Sequence, residues 1–124
     1  LILIIALLNT GGILQDVESS DITSIDVMDG HTGASFTLTD TWEMDTIVTN
    51  IKTCGAKWDG ISAGYMGYAY RLTFYSGSKK VEVLTLNAPD LMRTSVSFYI
   101  PENGSYCYDF LNELEQRHSQ DAVQ

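Results

Sequence analysis

The chain has little positive charge. Lysine and arginine together number 7 against 16 acidic residues, and the net charge is −9. The first basic residue is Lys52, so residues 1–51 carry eight acidic side chains without a compensating cation. Such a negative surface repels phosphate backbones, and no basic patch with interleaved aromatic residues offsets it. We therefore expect no nucleic-acid partner; the acidity suits a cationic partner or ion, or serves solubility alone.

Residues for metal binding and catalysis are also scarce. The two histidines, His31 and His118, stand in a turn and near the end of the chain, and neither has a second ligand at metal spacing. The run DVMDGHTG lacks the alternating carboxylates and the distal glutamate of a calcium loop. A hydrolytic triad cannot be assembled without arbitrary choices, and the glycines around Gly64 are followed by a strand pattern where a phosphate loop would open a helix. We predict no enzyme activity, no metal and no cofactor.

Long apolar runs are confined to the start, where residues 1–8 read LILIIALL. Eight residues are too few to span a bilayer, which needs roughly 20, but they match the apolar core of a signal peptide. We interpret residues 1–20 as a truncated signal sequence or anchor followed by a polar linker; the alternative is a buried first strand or helix. The first interpretation predicts an extracellular or cell-envelope protein with a single domain at 21–118 and a polar tail at 119–124.

Only two cysteines are present, Cys54 and Cys107. Each continues the apolar side of a predicted helix, so both thiols are expected to point toward one core. In an exported domain a disulfide between them is plausible and would stabilise the fold by roughly 3–5 kcal/mol. The alternative is two reduced, buried cysteines that behave as small hydrophobic residues.

The best-marked element is a helix from Asp40 to Gly55. Asp40 is a candidate N-cap with Glu43 three residues later, and Gly55 stands where a C-cap is expected. Between them, apolar residues recur at spacings of three and four, which puts them on one stripe of a helix: Met44, Ile47, Val48, Ile51 and Cys54. A second helix is predicted after Ser105.

Five segments alternate in the manner of β-strands, namely 21–29, 34–39, 68–75, 80–86 and 94–100. Residues 56–67 are rich in glycine and are predicted to form a loop. In the last strand we place Val96, Phe98 and Ile100 on one face and assign Ser95, Ser97 and Tyr99 to the solvated face. The order ββαβββα predicts an α+β fold, with a mostly antiparallel five-stranded sheet and two helices packed on one face.

Aromatic residues are concentrated around the glycine-rich loop and on the faces assigned outward. Exposed tyrosine and tryptophan provide contact area at low entropic cost, which suits binding of protein or carbohydrate. The candidate binding surface consists of Trp58, Tyr65, Tyr68, Tyr75 and Tyr99. The alternative is that Trp58 and several tyrosines pack the sheet edge.

Five features together resemble uncharacterised small domains of exported proteins and lipoproteins of Gram-positive bacteria: the element order and the segments DITSIDVMDG, TWEMDTIVTNIKTC, YAYRLTFYSG and SYCYDFLNELEQ. The resemblance covers residues 21–117, but the chain lacks the cysteine that carries the lipid in lipoprotein members. It implies a domain of unknown function and supplies no catalytic residues.

We therefore expect an extracytoplasmic binding or accessory module at the cell surface, whose partner is a protein or carbohydrate. Contact with a membrane is expected only through the N-terminal segment. The first alternative is a structural or inhibitory domain that binds another protein through the open sheet face. The second is a small hydrolase.

Overall fold

The computed structural model describes residues 13–123, with side chains through residue 119. It is an α+β fold, as predicted. The elements in chain order are β1 (Ser24–Asp29), β2 (Ser35–Leu38), α1 (Thr41–Cys54), β3 (Lys57–Ile61), β4 (Tyr70–Ser76), β5 (Lys79–Ala88), β6 (Leu91–Arg93), β7 (Ser97–Ile100) and α2 (Tyr108–Val123). A short 3-10 turn at Ser19–Asp21 precedes β1.

All seven strands form one antiparallel sheet in the order β2-β1-β4-β5-β6-β7-β3. Its centre is the β4–β5 hairpin, in which Leu72 lies opposite Leu84. On the other side of β4, Leu72 lies opposite Val27 of β1. Since paired residues point to the same face, these three side chains form one apolar row across the sheet.

The helix α1 follows its predicted boundaries. The Asp40 carboxylate accepts the backbone N–H of Glu43 at 2.9 Å, which caps the first turn. At the other end Gly55 has a φ of +70°, which a glycine adopts without strain, and its N–H bonds to the Ile51 carbonyl. The predicted apolar stripe is buried along its whole length. Local capping and periodicity therefore account for this element.

One face of the sheet, called the covered face below, packs with both helices in a single buried cluster. Ile47 of α1, Phe74 of β4 and Leu111 of α2 are fully buried members of it. The helices also contact each other, since Arg117 lies 3.7 Å from Glu43 and the Phe110 ring meets the Trp42 ring edge to face. The opposite face of the sheet, the open face, carries no helix among the described residues.

The structure has two strands more than predicted. The segment assigned to a loop begins with β3, which pairs with β7 at the sheet edge, and β6 is a three-residue strand after the Pro89–Asp90 turn. The β3 sequence KWDGI lacks a run of alternating apolar residues, so its strand structure depends on a partner about 40 residues away. The five-strand count was therefore wrong, while the antiparallel arrangement is confirmed.

The facing predicted for β7 was also wrong. Ser97 and Tyr99 are buried, at 0% and 5% exposure, whereas Val96 is 46% exposed. Ser97 is accommodated on the covered face because its hydroxyl accepts the indole N–H of Trp58 at 3.1 Å. A two-residue period identifies two faces but not which one is covered.

The packed structure extends beyond the predicted domain limits. Leu14 belongs to the buried cluster, so packing begins upstream of residue 21. The helix α2 continues to Val123, through most of the segment predicted as a tail. Of residues 1–20, interpreted as a truncated signal sequence or anchor with a linker, residues 1–12 lie outside the described residues. Within the described part of the chain, neither helix is long and apolar enough to cross a membrane.

Candidate functional site

The open face carries two arginines on either side of the central strand β5. The register places Arg71 of β4 opposite Thr85 of β5, and Thr85 opposite Arg93 of β6. The three side chains therefore form a row on the open face, behind the apolar row of the covered face. Two of the three arginines in the chain lie in this row.

The loop that joins β3 to β4 folds onto this row. The Tyr68 ring lies over Arg71, with 4.4 Å from ring centroid to guanidinium carbon, and the Tyr65 ring lies over Arg93 at 5.3 Å. The Gly67 carbonyl accepts a hydrogen bond from Arg93 Nη2 at 3.2 Å. Rings and cations attract each other in this geometry. We call the set Tyr65, Tyr68, Arg71, Thr85 and Arg93 the arginine–tyrosine row.

A glycine in the β1–β2 turn fixes the end of the loop. The Gly30 N–H donates to the Ala69 carbonyl at 2.8 Å. A Cβ atom at Gly30 would lie 2.1 Å from the backbone oxygen of Tyr68, a distance that no real side chain tolerates. Only glycine allows this approach, so the turn holds Tyr68 against the open face.

Among the residues that the structure describes, the arginines of the row have no acidic partner. The ion pairs found among the described residues all involve Arg117, on α2. Arg93 is only 8% exposed, and its Nε has no hydrogen-bond partner. Burial of a cationic group without its full set of partners is unfavourable. The row therefore holds donor capacity that the protein itself does not use.

A cavity of about 480 Å³ opens between the two arginines. Thr85 and Thr94 contribute hydroxyl groups to its lining, and Val83 contributes an apolar surface. Glu82 is the acidic residue of the lining; burial raises its pKa above the ordinary value, although its carboxylate accepts the backbone N–H of Val83. The lining therefore contains two cationic side chains, hydroxyl groups and one carboxyl group whose pKa is raised.

The structure divides the predicted binding residues between two faces. Tyr65 and Tyr68 lie in the arginine–tyrosine row, and Tyr75 lies on the same open face, opposite Ser24 of β1. Trp58 and Tyr99 instead lie opposite each other on the covered side, where Trp58 packs against the buried cluster. The predicted aromatic loop and the alternative open sheet face are consequently parts of one surface.

The sequence prediction missed the two arginines. A signal for Arg71 was available, because it is the only charged residue within the alternating segment YAYRLTFY. Arg93 had no comparable signal, since it lies in a strand of three residues directly after a turn. Their proximity depends on the β4–β5–β6 register, which the sequence does not show.

A second group of polar side chains lies where the β1–β2 turn meets α2. Tyr70 Oη contacts Asn112 Oδ1 and lies 2.9 Å from Glu115 Oε1. The carboxyl groups of Glu115 and Asp29 are hydrogen-bonded to each other. Asp29, Asn112 and Glu115 line an open cleft beside Tyr70, which we call the acidic cleft.

The two carboxyl groups of the acidic cleft have pKa values that are shifted in opposite directions. Burial raises the pKa of Glu115 above its ordinary value, and the bond to Asp29 raises it further. Burial also opposes ionisation of Asp29, but hydrogen bonds from the backbone of His31 and Thr32 and from Glu115 outweigh it and lower the Asp29 pKa. Glu115 is therefore the member of the pair that keeps its proton to the higher pH.

The two cysteines are buried free thiols, so the predicted disulfide is not formed in this structure. The Cys54 thiol donates to the Ser105 carbonyl, with 3.1 Å between sulfur and oxygen. Burial raises the pKa of Cys54, and it raises the pKa of Cys107 to about 12. Neither thiol forms the thiolate that a nucleophile requires near neutral pH.

The chain contains two short sequence patterns that are typical of hydrolases, and both have a structural role here. Ser62 stands in the pentapeptide GISAG, which has the GxSxG pattern of a hydrolase elbow. An elbow exposes its serine between a strand and a helix, but Ser62 is buried, donates to the Thr94 carbonyl at 3.0 Å and precedes a strand. Similarly, Ser76 and Lys79 fit SxxK but flank the β4–β5 hairpin turn.

Neither histidine supplies a base for these serines. The His118 ring stacks on Phe36 at 4.6 Å, and the exposed His31 uses its backbone N–H to bind Asp29. Among the described residues no three histidine, cysteine, aspartate or glutamate side chains are grouped to hold a metal ion.

The chain matches no protein-family model, no curated protein and no solved structure.

Proposed function

We propose that this chain is a binding module without catalytic activity, which engages its ligand through the arginine–tyrosine row on the open face of the sheet. The observation that carries the proposal is the unused donor capacity of Arg93, a buried guanidinium whose Nε has no partner beside a cavity. Binding sites commonly combine aromatic contact area with a few polar groups that await a ligand.

The surroundings of the row support recognition rather than catalysis. The row also has exposed apolar surface in the loop that joins β3 to β4, since Tyr65 and its neighbour Met66 are more than half exposed. In protein interfaces, the residues that contribute most of the binding energy are commonly aromatic residues and arginines. By contrast, the candidate nucleophiles Ser62 and Cys107 are buried and lack a base.

The cellular setting of this module remains the prediction made from the apolar start and from the resemblance to exported Gram-positive domains. We propose an extracytoplasmic location, with a protein or carbohydrate as the source of the ligand group. The alternative, an inhibitory or structural domain, would bind another protein through the same open face. It differs from the binding module only in the size of the partner.

The test is a nuclear magnetic resonance titration of the ¹⁵N-labelled chain with short peptides, oligosaccharides and organic acids. We expect saturable shifts concentrated in residues 62–69 and in β4 to β6. The variant Tyr68→Ala should weaken this binding at least tenfold, because it removes the ring over Arg71. The control Thr46→Ala, on α1, should leave it unchanged.

Three results would contradict the proposal. Shifts confined to the helices or to the acidic cleft would move the site elsewhere. New product resonances during the titration would indicate turnover and favour the hydrolase. Absence of any saturable shift across all three ligand classes would remove the row as a binding surface.

A further inference from the structure

We propose that the arginine–tyrosine row binds a single carboxylate group, held between the guanidinium groups of Arg71 and Arg93 with the hydroxyl of Thr85 between them. This inference rests on the proposed function, because it names the ligand chemistry of the same surface.

The spacing of the row suits one small anion. Arg71 and Arg93 lie on strands either side of β5, so their backbones are about 10 Å apart, two spacings of neighbouring strands. The cavity that both side chains line lies between them, above Thr85. Because both side chains line this one cavity, a single small anion placed in it can contact both.

Each guanidinium of the row has one tyrosine ring against it and N–H groups that can donate to a ligand. The Tyr68 ring lies over Arg71 and the Tyr65 ring lies over Arg93, and each guanidinium makes its hydrogen bonds through its N–H groups. The Gly67 carbonyl occupies one of these, Nη2 of Arg93, whereas Nε has no partner. Paired N–H groups on a planar edge match the two oxygens of a carboxylate.

Charge favours a carboxylate over a phosphate or a polyanion. The chain has a net charge of −9, so a ligand with several negative charges meets long-range repulsion. Glu82 in the lining adds local repulsion, which its partial burial weakens because burial disfavours the charged form. A group with one negative charge gains both arginine contacts with the least repulsion.

The lining beside the arginines suggests what the carboxylate is attached to. Val83 presents an apolar surface within the cavity, and the Phe98 ring lies edge to face with Tyr65 at 5.3 Å. A carboxylate with an apolar or aromatic body therefore fits better than one on a strongly hydrated sugar. Both a free organic acid and an acidic side chain of a peptide have this chemistry.

The test follows the arginine Nε–H resonances of the labelled chain during titration with benzoate. We expect saturable shifts of the Arg71 and Arg93 Nε–H signals and none with benzamide, which has the same shape without the charge. The variant Arg71→Gln should weaken benzoate binding at least tenfold. The control Arg117→Gln removes the arginine of α2 and should leave binding unchanged.

Arg93 is tested by Arg93→Lys, because loss of a buried arginine to glutamine endangers the fold. Lysine keeps the charge but lacks the planar edge, so we expect benzoate binding to weaken severalfold while thermal unfolding stays cooperative. A second titration with the amidated peptide Ala-Ala-Glu-Ala-Ala distinguishes the ligand sources. Tighter binding of the peptide identifies a protein partner, and tighter binding of benzoate identifies a small acid; either result supports a carboxylate site.

Several outcomes overturn the inference. Equal binding of benzoate and benzamide removes the role of charge, and undiminished binding by Arg71→Gln removes the role of that residue. Saturation by inorganic phosphate without saturation by benzoate replaces the carboxylate with phosphate. If neutral peptides or sugars shift the row while benzoate does not, the inference fails and the proposed function stands. If ligands shift only other regions, both fail.

Discussion

The strand β4 serves two faces of the sheet that differ in almost every physical property. Leu72 and Phe74 are fully buried on the covered face, in one cluster with residues of both helices. Arg71 and Thr73 alternate with them and line cavities on the open face. One strand thus contributes stability through one set of side chains and recognition through the other.

The two faces also differ in how completely their groups are satisfied. On the covered face Ser97 accepts the Trp58 indole N–H, so a polar group buried there has a partner. Three buried side-chain atoms of the described residues lack one: Arg93 Nε and Asn87 Oδ1, on the open face and its margin, and Asn50 Oδ1, on α1. Of these three atoms, Arg93 Nε belongs to a cationic group and carries a hydrogen to donate, and its burial without a partner points to contacts with a molecule outside the chain.

The largest expected effect comes from comparing two residues of β4 that lie on opposite faces of the sheet. Leu72→Ala should lower the free energy of unfolding by about 2–5 kcal/mol, because it opens a cavity in the buried cluster. Thr73→Ala, the matched control on the open face, should change it by less than about 0.5 kcal/mol. Urea denaturation of both variants measures the difference. Similar losses for the two would show that the open face is not a separate functional surface.

A second prediction concerns the turn that holds the loop on the open face. Gly30→Ala should destabilise the fold by about 1–3 kcal/mol and shift the amide resonances of residues 62–69, because the new methyl group overlaps the Tyr68 backbone oxygen. Gly67→Ala is the control, since its Cβ would find the Tyr65 ring at an ordinary 3.7 Å. If Gly30→Ala were tolerated as well as Gly67→Ala, the turn would not position Tyr68.

The covered face was largely predictable from the sequence. Asp40 and Gly55 mark the ends of α1 through local capping, and the spacing of its apolar residues marks the buried stripe. The β4–β5 hairpin likewise followed from alternation and a short turn. The edge strand β3 was not predictable, because its structure comes from pairing with β7 rather than from its own composition.

The candidate site was predictable only in part. Tyr65 and Tyr68 were identified from their position among glycines, where rigid aromatic residues favour contact with a ligand. Their arginine partners were not, because the contact of Gly67 with Arg93 joins residues 26 apart and depends on the loop path. Tyr99 was misplaced because strand alternation leaves the covered face undetermined.

The acidic cleft lies at the border of the covered face, and it gives the smallest expected effect. Glu115 has a pKa raised above the ordinary 4.5 by burial and by Asp29, so the folded state holds a proton that the unfolded state releases. Stability should therefore fall as pH rises from about 4.5 through the raised pKa. Asp29, with a pKa below 3.8, contributes stability that is lost only in stronger acid.

Glu115→Gln should remove the fall in stability above pH 4.5. The glutamine amide donates a hydrogen bond to Asp29 at every pH, whereas the glutamate carboxyl donates one only when it is protonated. The variant should be more stable than the wild type at neutral pH by about 1 kcal/mol or less, since solvent screens the partly exposed Glu115. Thermal unfolding from pH 4 to 8 measures this. The control Glu113→Gln removes a carboxylate of the same helix that contacts Arg117, and it should keep the wild-type slope. An unchanged slope in Glu115→Gln would mean that the two carboxyl groups do not share a proton, and that the border between the faces is held by Tyr70 and Asn112 alone.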